Sequence, residues 1–290
     1  MSVAKNSRVS IVIPTFNRAG MLRRAIDSAL AQTIPCEVVV CDHGSSDGTP
    51  AVAQSYGDRI IYVRRPRDHG VHFAWLDGIM SASGEFIHIN FDDDSIAPTF
   101  IERCLELMAD DVAFAFTKAL VVQEGSGKVT DCLFGGMGGS GVHPVGRFMA
   151  FQIKSLVSPG AMLLRKVDIL RALFMGRLPF ARHEYRGVGP DWLMPALATL
   201  DRPKFAFVDE PLAVFSAHEG SITTDALGDK KKKKALRDAY QSARFYYVME
   251  RLNRNILVRP LWLCCFLLYQ NIGRVHYGVG RFLRDRAGWR

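Results

Sequence analysis

The chain has 290 residues, 48% of them hydrophobic, and a formal net charge of +8. This excludes a disordered chain and leaves room for one large core plus an appendage. The charge is uneven: the run from Lys230 to Lys234 and the arginines from Arg251 to Arg290 weight the C-terminal fifth.

The elements alternate from the start. Val9-Ser10-Ile11-Val12-Ile13 reads as a strand ended by Pro14, and Leu22, Ala25, Ile26, Ala29 and Leu30 follow with helical spacing before the run Val38-Val39-Val40. A helix over 50–56, a strand at Ile60-Ile61-Tyr62-Val63 and a helix over 71–82 come next. The apolar run Phe86-Ile87-His88-Ile89-Asn90-Phe91 then ends in Asp92, Asp93 and Asp94. Strands alternating with short helices predict a mostly parallel α/β sheet with helices on both faces. The pattern changes after Asp94, with a helix over 98–108, a strand region from Val112 to Val122 and a glycine-rich surface loop from Gly135 to Gly141. A helix opening near Asp191 and short strands at Phe205-Ala206-Phe207-Val208 and Ala213-Val214-Phe215 complete the domain, 1–225.

From 226 onward a basic amphipathic helical extension is expected. Its apolar stretch, Pro260 to Tyr269, is too short for a span, which needs about 20 apolar residues. Flanking arginines and Trp262, Tyr269 and Tyr277 fit either an anionic membrane surface or a packed helix, including a homodimer contact. Nucleic acid is not expected as a partner, because the lysine run lacks interleaved aromatics. The six cysteines show no C-x-x-C pair and the N-terminus carries no apolar signal core, so a cytoplasmic protein, peripheral on the inner membrane face, is expected.

Three crowded carboxylates at a strand's carboxyl end need a shared cation, and an open α/β sheet binds ligands at that edge. Mg²⁺ or Mn²⁺ serving a substrate phosphate is the predicted solution, with Asp94 the first choice as ligand. Pro14-Thr15-Phe16-Asn17-Arg18 and Cys41-Asp42-His43-Gly44-Ser45-Ser46-Asp47-Gly48-Thr49 close two other strands on the same edge. Asp42 can accept from a base N–H or a ribose hydroxyl, while Ser46 and Asp47 suit helix capping. Asp191, after Gly189-Pro190, stands at a helix N-terminus, where an ionised carboxylate is favoured.

Taken in order, the start Ile13 to Arg18, the turn Asp42 to Thr49, the segment Gly84-Glu85-Phe86-Ile87 leading to the aspartates, Gly189-Pro190-Asp191-Trp192 and the late His218, Ser221 and Thr223 resemble family 2 inverting glycosyltransferases. The resemblance covers roughly residues 8 to 220. It implies a GT-A fold, a Rossmann-like sheet, and a metal-dependent, inverting transfer of sugar from a nucleotide donor (UDP-, GDP- or dTDP-linked) to a glycan or lipid-linked glycan, in cell-surface polysaccharide synthesis. It also implies nucleotide contacts at Pro14, Thr15, Asn17, Asp42, Asp92 and Asp93, metal ligands among Asp94, Asp92 and His218, diphosphate contacts at Ser221 and Thr223, and Asp191 as catalytic base. Three positions depart from the pattern: His43 where an acid is common, Trp75 where an arginine is common, and Pro190 where a glutamate often precedes the base. Two alternatives stay open. One is a haloacid-dehalogenase-type phosphohydrolase, from Asp92 to Ile96; the other is a catalytically silent nucleotide-binding module at the membrane surface.

Overall fold

The computed structural model describes residues 7–152, 156–173, 178, 190–218 and 230–254. The chain forms two compact units, Met1–Ala243 and Arg244–Arg290. The first opens with β1 (Val9–Thr15), α1 (Ala19–Leu30), β2 (Glu37–His43), α2 (Thr49–Gln54), β3 (Ile61–Arg65), α3 (Val71–Ser81) and β4 (Phe86–Ile89). It continues with β5 (Ser95–Ile96), α4 (Phe100–Leu105), β6 (Val112–Gln123), β7 (Val129–Leu133), β8 (Gly141–Pro144), α5 (Val145–Gln152), β9 (Met162–Arg165), α6 (Lys166–Ala172), α7 (Pro190–Ala198) and β10 (Lys204–Ala217). A last helix, α8 (Lys230–Arg254), runs across the boundary between the units.

One sheet carries the first unit in the order β3-β2-β1-β4-β9-β6-β10-β5, with β7 on β6 and β8 on β10. The four N-terminal strands are parallel, and β6 is parallel to β10. The remaining pairings are antiparallel, so the far half is mixed. β1, β2 and β4 are buried along their whole length, which is why they read as apolar runs rather than alternations. On the far half Phe114, Phe116, Phe148, Phe205 and Phe207 stack between β6, α5 and β10 as an aromatic core.

Three details differ from the sequence expectation. Pro14 lies inside β1 and does not end it. Its nitrogen points to the same side as the Val12 carbonyl, which accepts from Asn90 N at 2.9 Å, and the ladder to β4 stops at Val12 and Ile89. A missing N–H there costs no sheet hydrogen bond. The two short strands expected around 205–215 are one strand, β10, bent by register shifts around Pro211. β9 is only four residues long, yet it joins the two halves by pairing antiparallel with both β4 and β6.

Candidate active site

In the order β3-β2-β1-β4 the chain winds outward from β1 and then returns to its other side, so the topological switch lies between β1 and β4. Their ladder ends at Val12 and Ile89 while β1 continues to Thr15, which opens a crevice at the carboxyl edge. Thr15 stands on one wall and the aspartates on the other. Phe16, 43% exposed, follows at the rim.

The two βα loops beside this crevice are laced together. Asn17, at a positive φ of 53°, donates its N–H to Ser45 Oγ (2.9 Å) and accepts at Oδ1 from Ser46 N (2.9 Å). Asp47 accepts from Ala19 N at the start of α1 and from Thr49 N at the start of α2, so one carboxylate caps two helices. Asp42 is fully buried, with Oδ1 receiving Ser45 N (2.9 Å), Oδ2 receiving the Tyr62 hydroxyl (2.7 Å), and Arg64 Nε at 3.4 Å. Asn17 and Asp42 therefore fix the loops with the side-chain atoms that the resemblance assigns to the nucleotide.

His43 points inward. It is 1% exposed, lies edge-on to Phe73, and has Asp77 Oδ2 as a carboxylate neighbour at 3.8 Å, while Arg65 pairs with Asp77. Burial pushes its imidazole below the usual range. Gly44, at a φ of 81°, lies so close to Arg67 that a Cβ would fall 2.6 Å from the Arg67 Cα, and the chain there closes over the end of β2. Trp75 is 4% exposed and packs against Phe91, just before the aspartates, and against His72. Phe91 and Phe215 both meet the face of Gly160. Phe134, at the start of the glycine-rich loop, packs on Phe215, and Ser140 accepts from Asp209 N, so that loop is anchored at both ends.

The aspartates are engaged differently from one another. Loss of water pushes the carboxyl of half-buried Asp92 up to about 6; the Asp93 charge adds to this, and the Thr15 hydroxyl, the Arg18 charge and the Phe16 N–H oppose it. Asp94 is buried and raised well above the carboxylate range, first by burial and then by Asp93, with the Ser216 N–H (3.0 Å from Oδ1) and the Arg24 charge opposing. Asp93 meets His218 Nε2 at 2.9 Å, a contact across 125 residues of chain that brings the end of β10 back to the triplet. Arg24 reaches over from α1, giving Nη2 to the Asp93 carbonyl (2.5 Å) and to Ser216 Oγ (2.8 Å). Arg18 Nη1 stands 3.4 Å from the same His218 Nε2.

Two crowded carboxyls, Asp92 and Asp94, are oxygen donors of the type a hard divalent cation takes. Among the described residues, no group of three or more His, Cys, Asp or Glu side chains converges as a complete metal cage. His88 is fully buried, Nδ1 sits 2.8 Å from the Met162 carbonyl, and burial pushes it down to about 4.

Asp191 is in the first turn of α7, directly after Pro190. Proline suits that position, where its missing N–H would have no helical partner. Asp191 Oδ1 accepts from Trp192 N (2.8 Å), and Oδ2 accepts from the Tyr240 hydroxyl of α8 (2.7 Å). Ser221 and Thr223 lie outside the described residues. Sequence reasoning gave no role to Arg18, Arg24, Ser216 or Tyr240. Arg18 was visible inside a motif, whereas the other three look like ordinary surface residues until the fold brings them together.

The sequence model of glycosyl transferase family 2 matches residues 10–172. A Rickettsia typhi protein described as an uncharacterized glycosyltransferase is 41% identical over 101 residues, 34% of this chain and 31% of that protein. A Campylobacter jejuni protein, GalNAc(5)-diNAcBac-PP-undecaprenol beta-1,3-glucosyltransferase, is 32% identical over 124 residues, 41% of this chain and 40% of that protein. The matched stretches thus span well under half of these relatives. Among solved structures, S. aureus TarS 1-349 in complex with UDP-GlcNAc shares the fold at a TM-score of 0.58 and 17% identity, covering 86% of this chain and 72% of that one.

Proposed function

Because the chain belongs to glycosyl transferase family 2, we propose that it moves a sugar, with inversion, from a nucleoside-diphosphate donor to a hydroxyl of a glycan or lipid-linked glycan in polysaccharide synthesis. The observation that carries this is the aspartate triplet at the β1/β4 switch point, closed by His218 from the end of β10. The bound UDP-GlcNAc of TarS supports a nucleotide-sugar donor, and the name of the C. jejuni relative supports a lipid-linked acceptor. A haloacid-dehalogenase site is not favoured, since that loop closes a first strand and here the aspartates follow the fourth.

The geometry supports the following roles. Phe16 offers an exposed ring at the rim on which a base can stack, Thr15 and Pro14 line the wall beside it, and Asn17 and Asp42 hold the loops that shape the base pocket. Asp93 and Asp92 face the ribose and phosphates. Asp94 with Asp92 would hold Mg²⁺ or Mn²⁺, which would offset the charge that grows on the departing diphosphate. His218, engaged with Asp93, is assigned to the diphosphate together with Ser221 and Thr223. On the acceptor side Asp191 takes the hydroxyl proton as that oxygen attacks the anomeric carbon. Its two hydrogen bonds, from Trp192 N and Tyr240, fix the direction of the carboxylate.

No helix among the described residues is long and apolar enough to cross a membrane. Phe245, Val248 and Leu252 are exposed at i, i+3 and i+7 on α8, which begins with five lysines. This supports a peripheral contact with an anionic leaflet, through which a lipid-linked acceptor would be met. Incubation with UDP-, GDP- and dTDP-sugars and Mn²⁺ should reveal one donor class that binds and is turned over, with Asp94→Ala abolishing both. The proposal fails if no donor binds or is hydrolysed and Asp94→Ala changes nothing. Donor binding without turnover would instead favour the silent nucleotide-binding module.

A further inference from the structure

Arg18, Arg24 and His218 face the aspartate triplet, and they are committed to different extents. Arg24 is spent on the Asp93 carbonyl and Ser216 Oγ. His218 is spent on Asp93 Oδ2 at 2.9 Å, and a contact that short to a carboxylate oxygen puts the Nε2 hydrogen on that bond. Arg18 is different. Its Nη1 lies 3.4 Å from this same Nε2, which then has no lone pair to offer, and among the described residues its other side-chain contact is the weak acceptor Met21 Sδ at 3.5 Å. Among the described residues it makes no ion pair, although its charge is felt at Asp92.

The Arg18 guanidinium thus stands on one side of the triplet, beside an imidazole that is already engaged, with no acceptor oxygen of its own among the described residues. Such a guanidinium is completed by an incoming anion that accepts from it. We propose that Arg18 is a further ligand-binding residue of this site. Its guanidinium fork, beside His218, grips the distal, sugar-bearing phosphate of the nucleoside diphosphate and holds that phosphate as the leaving group departs. The inference rests on the nucleotide-sugar function proposed above. The local structure leaves Arg18 free for this work, because its backbone N–H, not its side chain, ties the loop to Thr49 Oγ1 (3.0 Å).

The distal phosphate is present in a diphosphate and absent from a monophosphate, which gives a direct test. Calorimetric titration of the full chain with UDP, GDP and dTDP in Mn²⁺ identifies the base, and the matching monophosphate serves as the comparison. Arg18→Ala should weaken the diphosphate about tenfold or more, as expected for loss of a charge-assisted hydrogen bond, and change the monophosphate less than about twofold. Arg18→Lys should recover part of the loss, since it restores the charge but not the fork. Arg23→Ala, which removes an equal charge from an arginine set over the Tyr56 ring, should leave both affinities unchanged. Equal weakening of diphosphate and monophosphate, or no weakening of either, overturns the assignment while leaving the nucleotide-sugar function standing. Failure of the unaltered chain to bind any nucleoside diphosphate overturns both.

Discussion

Gly78→Ala separates helix propensity from packing. Gly78 lies within α3, where alanine would ordinarily stabilise by about 1 kcal/mol. A Cβ at this position would fall 2.4 Å from Val12 Cγ1 and 3.1 Å from Cys41 Sγ. The first distance cannot be tolerated without movement. Val12 is wholly buried on β1 and stiff at χ1, and Cys41 is wholly buried on β2, so neither gives way cheaply. Overpacking of this kind costs roughly 1–3 kcal/mol, and so close a contact lies at the upper end. The expected net effect is a loss of about 2 kcal/mol, or about 4–8 °C in Tm for a unit of this size. Urea denaturation with an unchanged m-value would measure it. In a double-mutant cycle, Val12→Ala should create the missing space, so that adding Gly78→Ala to it costs nothing further. A Gly78→Ala protein as stable as the parent, or strictly additive effects in the cycle, would refute the claim that α3 is pressed onto the strands that carry Thr15 and Asp42.

Three other outcomes are expected. His88 is depressed to about 4 from 6.5, so the unfolded chain takes up its proton first and stability falls as pH drops between those values, by about 3 kcal/mol in all. Asp92 and Asp94, both raised, work with the opposite sign, so the His88 share is read as the difference in urea midpoint between the parent and His88→Leu at pH 7 and pH 4.5; parallel curves would contradict it. Arg24→Ala should lower stability by less than about 1 kcal/mol, because the side chain is exposed, yet weaken Mn²⁺-nucleotide binding several-fold by releasing Ser216 and Asp93, with Arg24→Lys intermediate in calorimetry. Asp191→Asn should slow transfer about 10²–10⁴-fold while donor affinity stays within twofold, and Tyr240→Phe should slow it less; transfer at the parent rate by Asp191→Asn would remove Asp191 from the chemistry.

The parallel half of the fold was legible because β1, β2 and β4 are buried on both faces and α1 keeps one apolar stripe, so composition and period agree. The mixed half was less so. β9 has only four residues, and although Pro159-Gly160 marks a turn before it, its place between β4 and β6 depends on partners distant in the chain. At the site, the strand-end motifs showed where the ligand edge would be, but not which atoms were already engaged. Nothing in the run Asp42 to Thr49 reveals that Tyr62 takes one oxygen of Asp42, or that Asn17 is bound to Ser46. The Asp93–His218 contact was foreseen only as membership of one site, because the pairing depends on the register by which β10 returns to the triplet.

The two departures nearest the nucleotide edge, His43 and Trp75, share a physical character. Both side chains are withdrawn from the crevice, His43 edge-on to Phe73 and Trp75 packed on Phe91, so each contributes packing where the family resemblance leads one to expect a charge. A buried ring at Trp75 cannot neutralise a diphosphate. Positive charge near the aspartates therefore comes from Arg18 and Arg24 on the first βα unit, beside the His218 imidazole at the end of β10. Both arginines lie within the first 24 residues, next to the wall formed by Thr15. Charge and wall thus move as one body, and a change in β1 that shifts Thr15 should shift the guanidinium groups with it.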